Sequence, residues 1–259
     1  MFDQGQGAPL IVIPGVQGRW EWMKPTLDEL AKHGRAVSYT LCGDIGSDMP
    51  FDPALGFDNF VQQLDHVFDR LVINRAALCG VSYGGFIALR YAAVRPERVT
   101  SLVLVSSPAP GWAPNPRQQQ YLERPWLSAP AFVLTSPLRL WPEIKAAYDT
   151  THERLAFSFL HALRVFMAPI VPPRMATRVA LQQGQDFVPD CARITAPTLI
   201  VTGEDDLDQI VPPEVTRHYR QLIRGAQYVQ MKRSGHIGLL THPAQFAGIV
   251  SGFINANGH

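Results

Sequence analysis

Apolar residues in this chain follow two patterns that take turns. Short unbroken runs, Leu10-Ile11-Val12-Ile13, Ala76-Ala77-Leu78-Cys79, Leu102-Val103-Leu104-Val105 and Thr198-Leu199-Ile200-Val201-Thr202, have the length and continuity of strands buried on both faces. Ala36-Val37-Ser38-Tyr39-Thr40-Leu41 reads as a further strand, and Tyr228-Val229-Gln230-Met231 alternates as a last one. Between the strands, apolar positions recur at helical spacing: Leu27, Leu30 and Ala31, stopped by Gly34; Phe57, Phe60, Val61, Leu64, Val67, Phe68 and Leu71; then Phe86 to Ala93. Pro212-Pro213 opens a helix carrying Val215, Tyr219 and Leu222, and His242-Pro243 starts another with Phe246, Ile249, Val250 and Phe253 inward. Strands alternating with helices predict an α/β fold with a mainly parallel central sheet. No strand pattern precedes Leu10, and Gly5-Gln6-Gly7 reads as part of a terminal tail.

The alternation stops at Pro108 and resumes only at Thr198. Eight prolines fall between positions 108 and 142, and helical stretches follow around residues 144–167 and 174–183. This predicts one core domain built from residues 1–107 and 196–259, with residues 108–195 as a helical insertion. The insertion is rich in Trp112, Tyr121, Trp126, Phe132, Trp141, Phe157, Phe159, Phe166 and Met167. Most of these are expected to pack the insertion against itself and the core. As a group they predict an apolar pocket roof, with Trp112, Trp126 and Trp141 as lining candidates.

The strongest local signal is Gly80-Val81-Ser82-Tyr83-Gly84, set between a predicted strand and a predicted helix. At this glycine and serine content the G-x-S-x-G spacing arises by accident about 0.07 times per chain, before the flanking strand and helix are required. A serine on so sharp a turn needs neighbours without Cβ atoms two residues away on each side. Ser82 would then stand at a helix N-terminus, with the first N–H groups, beginning at Tyr83, turned toward any developing negative charge.

This turn resembles the nucleophile elbow of the α/β-hydrolase family. The resemblance implies a mainly parallel sheet with helices on both faces, a cap inserted where residues 108–195 lie, and a catalytic triad of Ser, Asp or Glu, and His in that chain order. No strand pair precedes Leu10, so the sheet is expected to have fewer strands than is usual for the family. In that family the loop after the first core strand supplies a second oxyanion N–H, usually after a His-Gly pair. Here Pro14-Gly15-Val16 takes that place, so Val16 N–H is the candidate donor and Gly15 lies beside the pocket, while the usual histidine is absent.

A serine hydroxyl needs an adjacent general base whose pKa lies near the working pH, and imidazole fits. Of eight histidines, His236 follows a strand and a glycine on the same sheet edge as Ser82. The others, including His259 at the end of the chain, fall in helices, insertion or terminus. The carboxylate that orients the imidazole is expected in the acidic loop that starts at Gly203. Counting from the glycine gives Asp206, while counting back from Val211-Pro212 gives Asp208. Asp208 is favoured because the proline-started helix fixes its distance to the domain, and Asp206 is the alternative.

Composition narrows the partners. With 23 basic and 22 acidic residues spread along 259 positions, the net charge is +1, which lacks the basic face of a nucleic-acid binder. Three cysteines without C-x-x-C spacing argue against a disulfide framework or a zinc site and for a reducing compartment. The N-terminus lacks a signal-peptide pattern and no apolar run approaches a membrane span, so a cytoplasmic location is expected. Serine rather than aspartate at the elbow tells against epoxide hydrolase or haloalkane dehalogenase chemistry, and no metalloprotease or phosphate-loop motif occurs. The expected activity is a cofactor-free, metal-free serine hydrolase acting on small or medium, mostly apolar carboxylic esters or related acyl compounds. The alternatives are an acyltransferase or carbon–carbon bond hydrolase using the same residues, or a non-catalytic protein that binds a small ligand.

Overall fold

The computed structural model describes residues 1–257, without the side chains of Arg117, Phe132, Val133 and Leu134; Phe132 among the insertion aromatics and the terminal His259 therefore lie outside the described residues. The chain begins with β1 (Phe2–Gln4), β2 (Pro9–Ile13), α1 (Lys24–Leu30), β3 (Arg35–Ser38) and α2 (Asp58–Arg70). It continues through β4 (Ala76–Val81), α3 (Gly84–Val94) and β5 (Val99–Val105). Five helices follow: α4 (Pro116–Glu123), α5 (Pro125–Ala147), α6 (Thr151–Met167), α7 (Pro172–Gln183) and α8 (Val188–Arg193). The last part contains β6 (Thr198–Thr202), α9 (Pro213–Arg217), α10 (Tyr219–Leu222), β7 (Gln227–Gln230), α11 (Gly238–Thr241) and α12 (Pro243–Asn257).

The strands form one sheet in the order β1-β3-β2-β4-β5-β6-β7. Every neighbouring pair is parallel except β1 with β3. Because side chains alternate along a strand, the unbroken apolar runs present greasy residues to both faces. Ile11, Ile13, Leu78, Leu102, Leu104 and Ile200 pack with Phe60 and Leu64 of α2 and Phe86 of α3. Val12, Cys79, Val103 and Val105 pack on the other side with Leu27 and Leu30 of α1 and Phe246 and Val250 of α12. Helices thus cover both faces.

Four elements depart from the sequence reading. The supposed N-terminal tail contains β1, which adds an antiparallel edge strand through Phe2, Asp3 and Gln4. Three residues are too few to show an alternating pattern; Phe2 is buried beside Trp20, while Asp3 pairs with Arg35 across the edge. The proline-rich stretch is largely helical from Pro116 onward, because α4 starts there and α5 runs through Pro130, Pro137 and Pro142. Pro130 and Pro137 are exposed, so water can meet the carbonyls that lose a donor. The helical stretch around residues 144–167 is divided at Thr150, whose hydroxyl and Glu153 form a capping box that starts α6. The helix expected from Pro212 is likewise two short ones, α9 and α10.

The five helices between β5 and β6 are tied to the rest of the chain by charge as well as by packing. Arg178 of α7 is 2% exposed and forms an ion pair with Asp44, which is itself buried after β3. A second nitrogen of the same guanidinium donates to the Val16 carbonyl at 2.8 Å. Burial pushes the Asp44 carboxyl up, and the Arg178 charge opposes that rise. Removing one member of such a pair strands the other without its hydration. Arg178→Met is therefore expected to cost about 3–5 kcal/mol of stability, read as a lower urea midpoint. Adding Asp44→Leu should restore part of it; a single-variant loss below about 1 kcal/mol would show that Asp44 needs no partner.

Candidate active site

The sheet order places the site. β2 connects to β3 on one side while β4 lies on its other side, and a crevice opens beyond the carboxyl ends of strands where the order reverses in this way. Ser82 follows β4 and the Pro14-Gly15-Val16 loop follows β2. A Cβ added to Gly15 would lie 3.4 Å from the Ser82 Cβ, so the two turns touch.

Ser82 is half-buried and has φ +53°, a left-handed conformation that costs a non-glycine residue about 1–3 kcal/mol. Its N–H donates to the Val105 carbonyl at 2.8 Å, and its carbonyl accepts from Gly85 N–H at 2.9 Å. The flanking glycines are required by contact. A Cβ on Gly80 would sit 2.5 Å from the Gly84 oxygen, and one on Gly84 would sit 2.4 Å from the Ile13 oxygen. Tyr83, at the start of α3, has a ring buried against Phe57, Phe60 and Phe86. Its N–H belongs to the first turn, where helical partners are lacking.

Two strands away, backbone meets backbone again. A Cβ on Gly203 would lie 2.4 Å from the Ser234 oxygen, and Glu204 N–H donates to that oxygen at 2.8 Å. This seats the loop after β6 against the turn after β7. Asp208 is buried; its Oδ1 accepts from Ile210 N–H at 3.0 Å and Val211 N–H at 2.9 Å, and its Oδ2 lies 3.1 Å from His236 Nδ1. The two backbone bonds turn the carboxylate inward. Asp206 is exposed, and Asp205 pairs with Arg217 at the surface. With Nδ1–H held by Asp208, Nε2 is the nitrogen left to exchange a proton. Burial alone would lower the imidazole pKa, but Asp208 and the neighbouring Glu143 outweigh it and hold His236 above its ordinary value.

The structure therefore brings Asp208 to His236 and Gly15 to Ser82, and sets both pairs on one edge of the sheet. Of the lining candidates, Trp112 is half-buried, whereas Trp126 and Trp141 are 68% and 41% exposed on α5. Helix α5 turns Glu143, Ile144 and Ala147 inward instead. Glu143, Arg178 and Asp44 escaped the sequence reading. The signal for Glu143 was a lone acid in the apolar stretch Leu140-Trp141-Pro142-Glu143-Ile144, which helical spacing puts on the same side as Ala147. All three cysteines are free and buried. Among the described residues no group of three or more His, Cys, Asp or Glu side chains is arranged to hold a metal ion, and no single helix is long and apolar enough to cross a membrane.

Comparison with known proteins agrees with the topology. A relative from Pseudomonas savastanoi pv. phaseolicola, provisionally named carbamate hydrolase RutD, is 29% identical over 262 residues, covering 98% of this chain and 96% of the relative. The 2-hydroxymuconate semialdehyde hydrolase of a Pseudomonas species is 28% identical over 264 residues, covering 98% and 89%. A solved thermophilic esterase from Thermogutta terrifontis shares the fold at a TM-score of 0.78 and 20% identity, covering 98% of this chain and 92% of that one. The family described as the alpha/beta hydrolase family matches residues 10–249, and the chain belongs to it.

Proposed function

We propose that this hydrolase-family protein is a serine hydrolase that cleaves small or medium, mostly apolar carboxylic esters or related acyl compounds through an acyl-enzyme. The observation that carries the reading is the 3.1 Å contact of His236 Nδ1 with the buried Asp208 carboxylate, on the same sheet edge as a serine held at positive φ. In this reading Ser82 Oγ attacks the substrate carbonyl while His236 Nε2 takes its proton. Asp208 keeps the imidazole in the required tautomer and stabilises the imidazolium. The N–H groups of Val16 and Tyr83 bind the oxyanion, each contributing about 3 kcal/mol to lowering the barrier. The imidazolium then protonates the leaving group, and His236 activates water to release the acyl group. A second reading keeps these residues but changes the acyl compound, and the relatives named for a carbamate and for 2-hydroxymuconate semialdehyde favour it. Product analysis with esters, lactones, carbamates and vinylogous ketones distinguishes the two.

Ser82→Ala is expected to abolish ester hydrolysis and fluorophosphonate labelling while the thermal midpoint stays near wild type. Activity within tenfold of wild type would sink the serine mechanism.

Asp208→Asn should cost far more turnover than Asp206→Asn. Loss of the equivalent orienting carboxylate costs about 10⁴ in a serine protease, whereas Asp206 is exposed. Comparable mild losses in kcat would show that the orienting acid lies elsewhere.

Substrate charge gives a further test. The buried guanidinium groups of Arg178 and Arg19 are engaged by Asp44 and Glu21, leaving neither to recognise an anionic acyl group. Uncharged acyl groups should be preferred, and kcat/KM should depend little on salt. A steep fall in kcat/KM between low and high salt, or a marked preference for anionic acids, contradicts this.

A further inference from the structure

Glu143 is a buried acid that the proposed mechanism does not use. It is 1% exposed and sits near the end of α5, in the inserted helices rather than in the core. Its Oε2 accepts from Ile237 N–H at 3.0 Å, gripping the residue directly after His236. A Cβ on Gly235, the residue directly before, would come within 2.8 Å of the same oxygen. The carboxylate thus closes over the turn that carries the imidazole. Its other oxygen, Oε1, is buried with no hydrogen-bond partner among the described residues. Such an atom is costly, since a buried acceptor without a donor forfeits its hydration.

Few other charges reach this place. His236 and Asp208 face Glu143 from the two loops packed on it. From the same turn, Arg233 points to the surface, where it bonds the Ala146 carbonyl and Asp149, while its N–H bonds Glu204. On the insertion side Lys145 is exposed, and the Tyr148 phenol bonds the Thr241 carbonyl. His242, beyond α11, bonds the Thr241 hydroxyl. Burial pushes the Glu143 carboxyl up to about 7, against the opposing pull of the Ile237 and Gly235 N–H groups and of His236.

We propose that Glu143 is a positioning residue for His236, one that clamps the imidazole's backbone and supplies, beside Asp208, a second negative charge favouring the imidazolium. The inference rests on the reading of His236 as general base. It makes the strength of that base depend on the seating of an inserted helix. Glu143, pushed up to about 7, is charged only in part where His236 titrates; replacing it still removes negative charge, which destabilises the imidazolium, lowers the imidazole pKa and moves the acidic limb of kcat/KM to lower pH.

Glu143→Gln tests this, because the amide oxygen can still accept from Ile237 N–H while the charge is lost. Two readouts are taken on the full chain: the pH profile of kcat/KM with an uncharged ester, and the NMR titration of the His236 ring. Both midpoints are expected to fall by about 0.5–1 pH unit with the thermal midpoint near wild type. Glu143→Asp, which retains the charge, should bring both midpoints back toward wild type. If Gln leaves both midpoints in place, Glu143 is only a structural clamp and the proposal is overturned. If the ring titration shifts while the kcat/KM profile does not, the coupling of Glu143 to His236 stands and the general-base reading falls.

Discussion

Two places on the carboxyl edge of the sheet leave no room for a Cβ atom, and the geometry of the site depends on both. At the first, Gly84 presses on the Ile13 carbonyl and Gly80 on the Gly84 carbonyl, which draws the start of α3 onto the end of β2. At the second, Gly203 presses on the Ser234 carbonyl, which draws the loop after β6 onto the turn after β7. The first contact sets Ser82 against the Gly15 turn, and the second sets Asp208 against His236. A side chain at either place would push backbone from backbone, and the close-packed interior around them has little space to absorb the shift.

The helices between β5 and β6 meet this arrangement through two charged side chains. Arg178 holds the Val16 carbonyl and is balanced by Asp44; Glu143 holds the Ile237 N–H and, among the described residues, has no basic partner comparable to Arg178. Buried charges are seldom a net gain in stability. Their contacts fall beside the candidate site: Arg178 bonds the Val16 carbonyl in the loop next to Ser82, and Glu143 bonds the Ile237 N–H in the turn that carries His236.

Much of the candidate site could be read in the chain because its parts are local. A glycine-flanked serine between strand and helix, a histidine just after a strand, and an acidic loop before a proline-started helix are each visible within about ten residues. The choice between Asp206 and Asp208 was harder, since both lie in one loop. The structure turns Asp208 inward because its carboxylate caps the N–H groups of Ile210 and Val211, while Asp206 faces solvent. Glu143 and Arg178 stayed hidden for a different reason. Each is one polar residue in a helix, and nothing within the helix says what its inward face will meet.

The sequence by itself determined the alternation of buried strands and helices, the parallel sheet and the elbow at Ser82, because these follow from hydrogen bonding and apolar period over short distances. It did not determine the edge strand at Phe2, where three residues pair with β3 across more than thirty positions of chain, or the helix through the prolines of α5. Nor did it show which faces of the insertion meet the core, since the aromatic Trp126 and Trp141 lie outside and the charged Glu143 and Arg178 lie within. Those outcomes were decided by the tertiary structure, because a side chain's burial depends on the partner waiting for it, and here the partners are a backbone amide beside His236 and a carboxylate beside the Val16 loop.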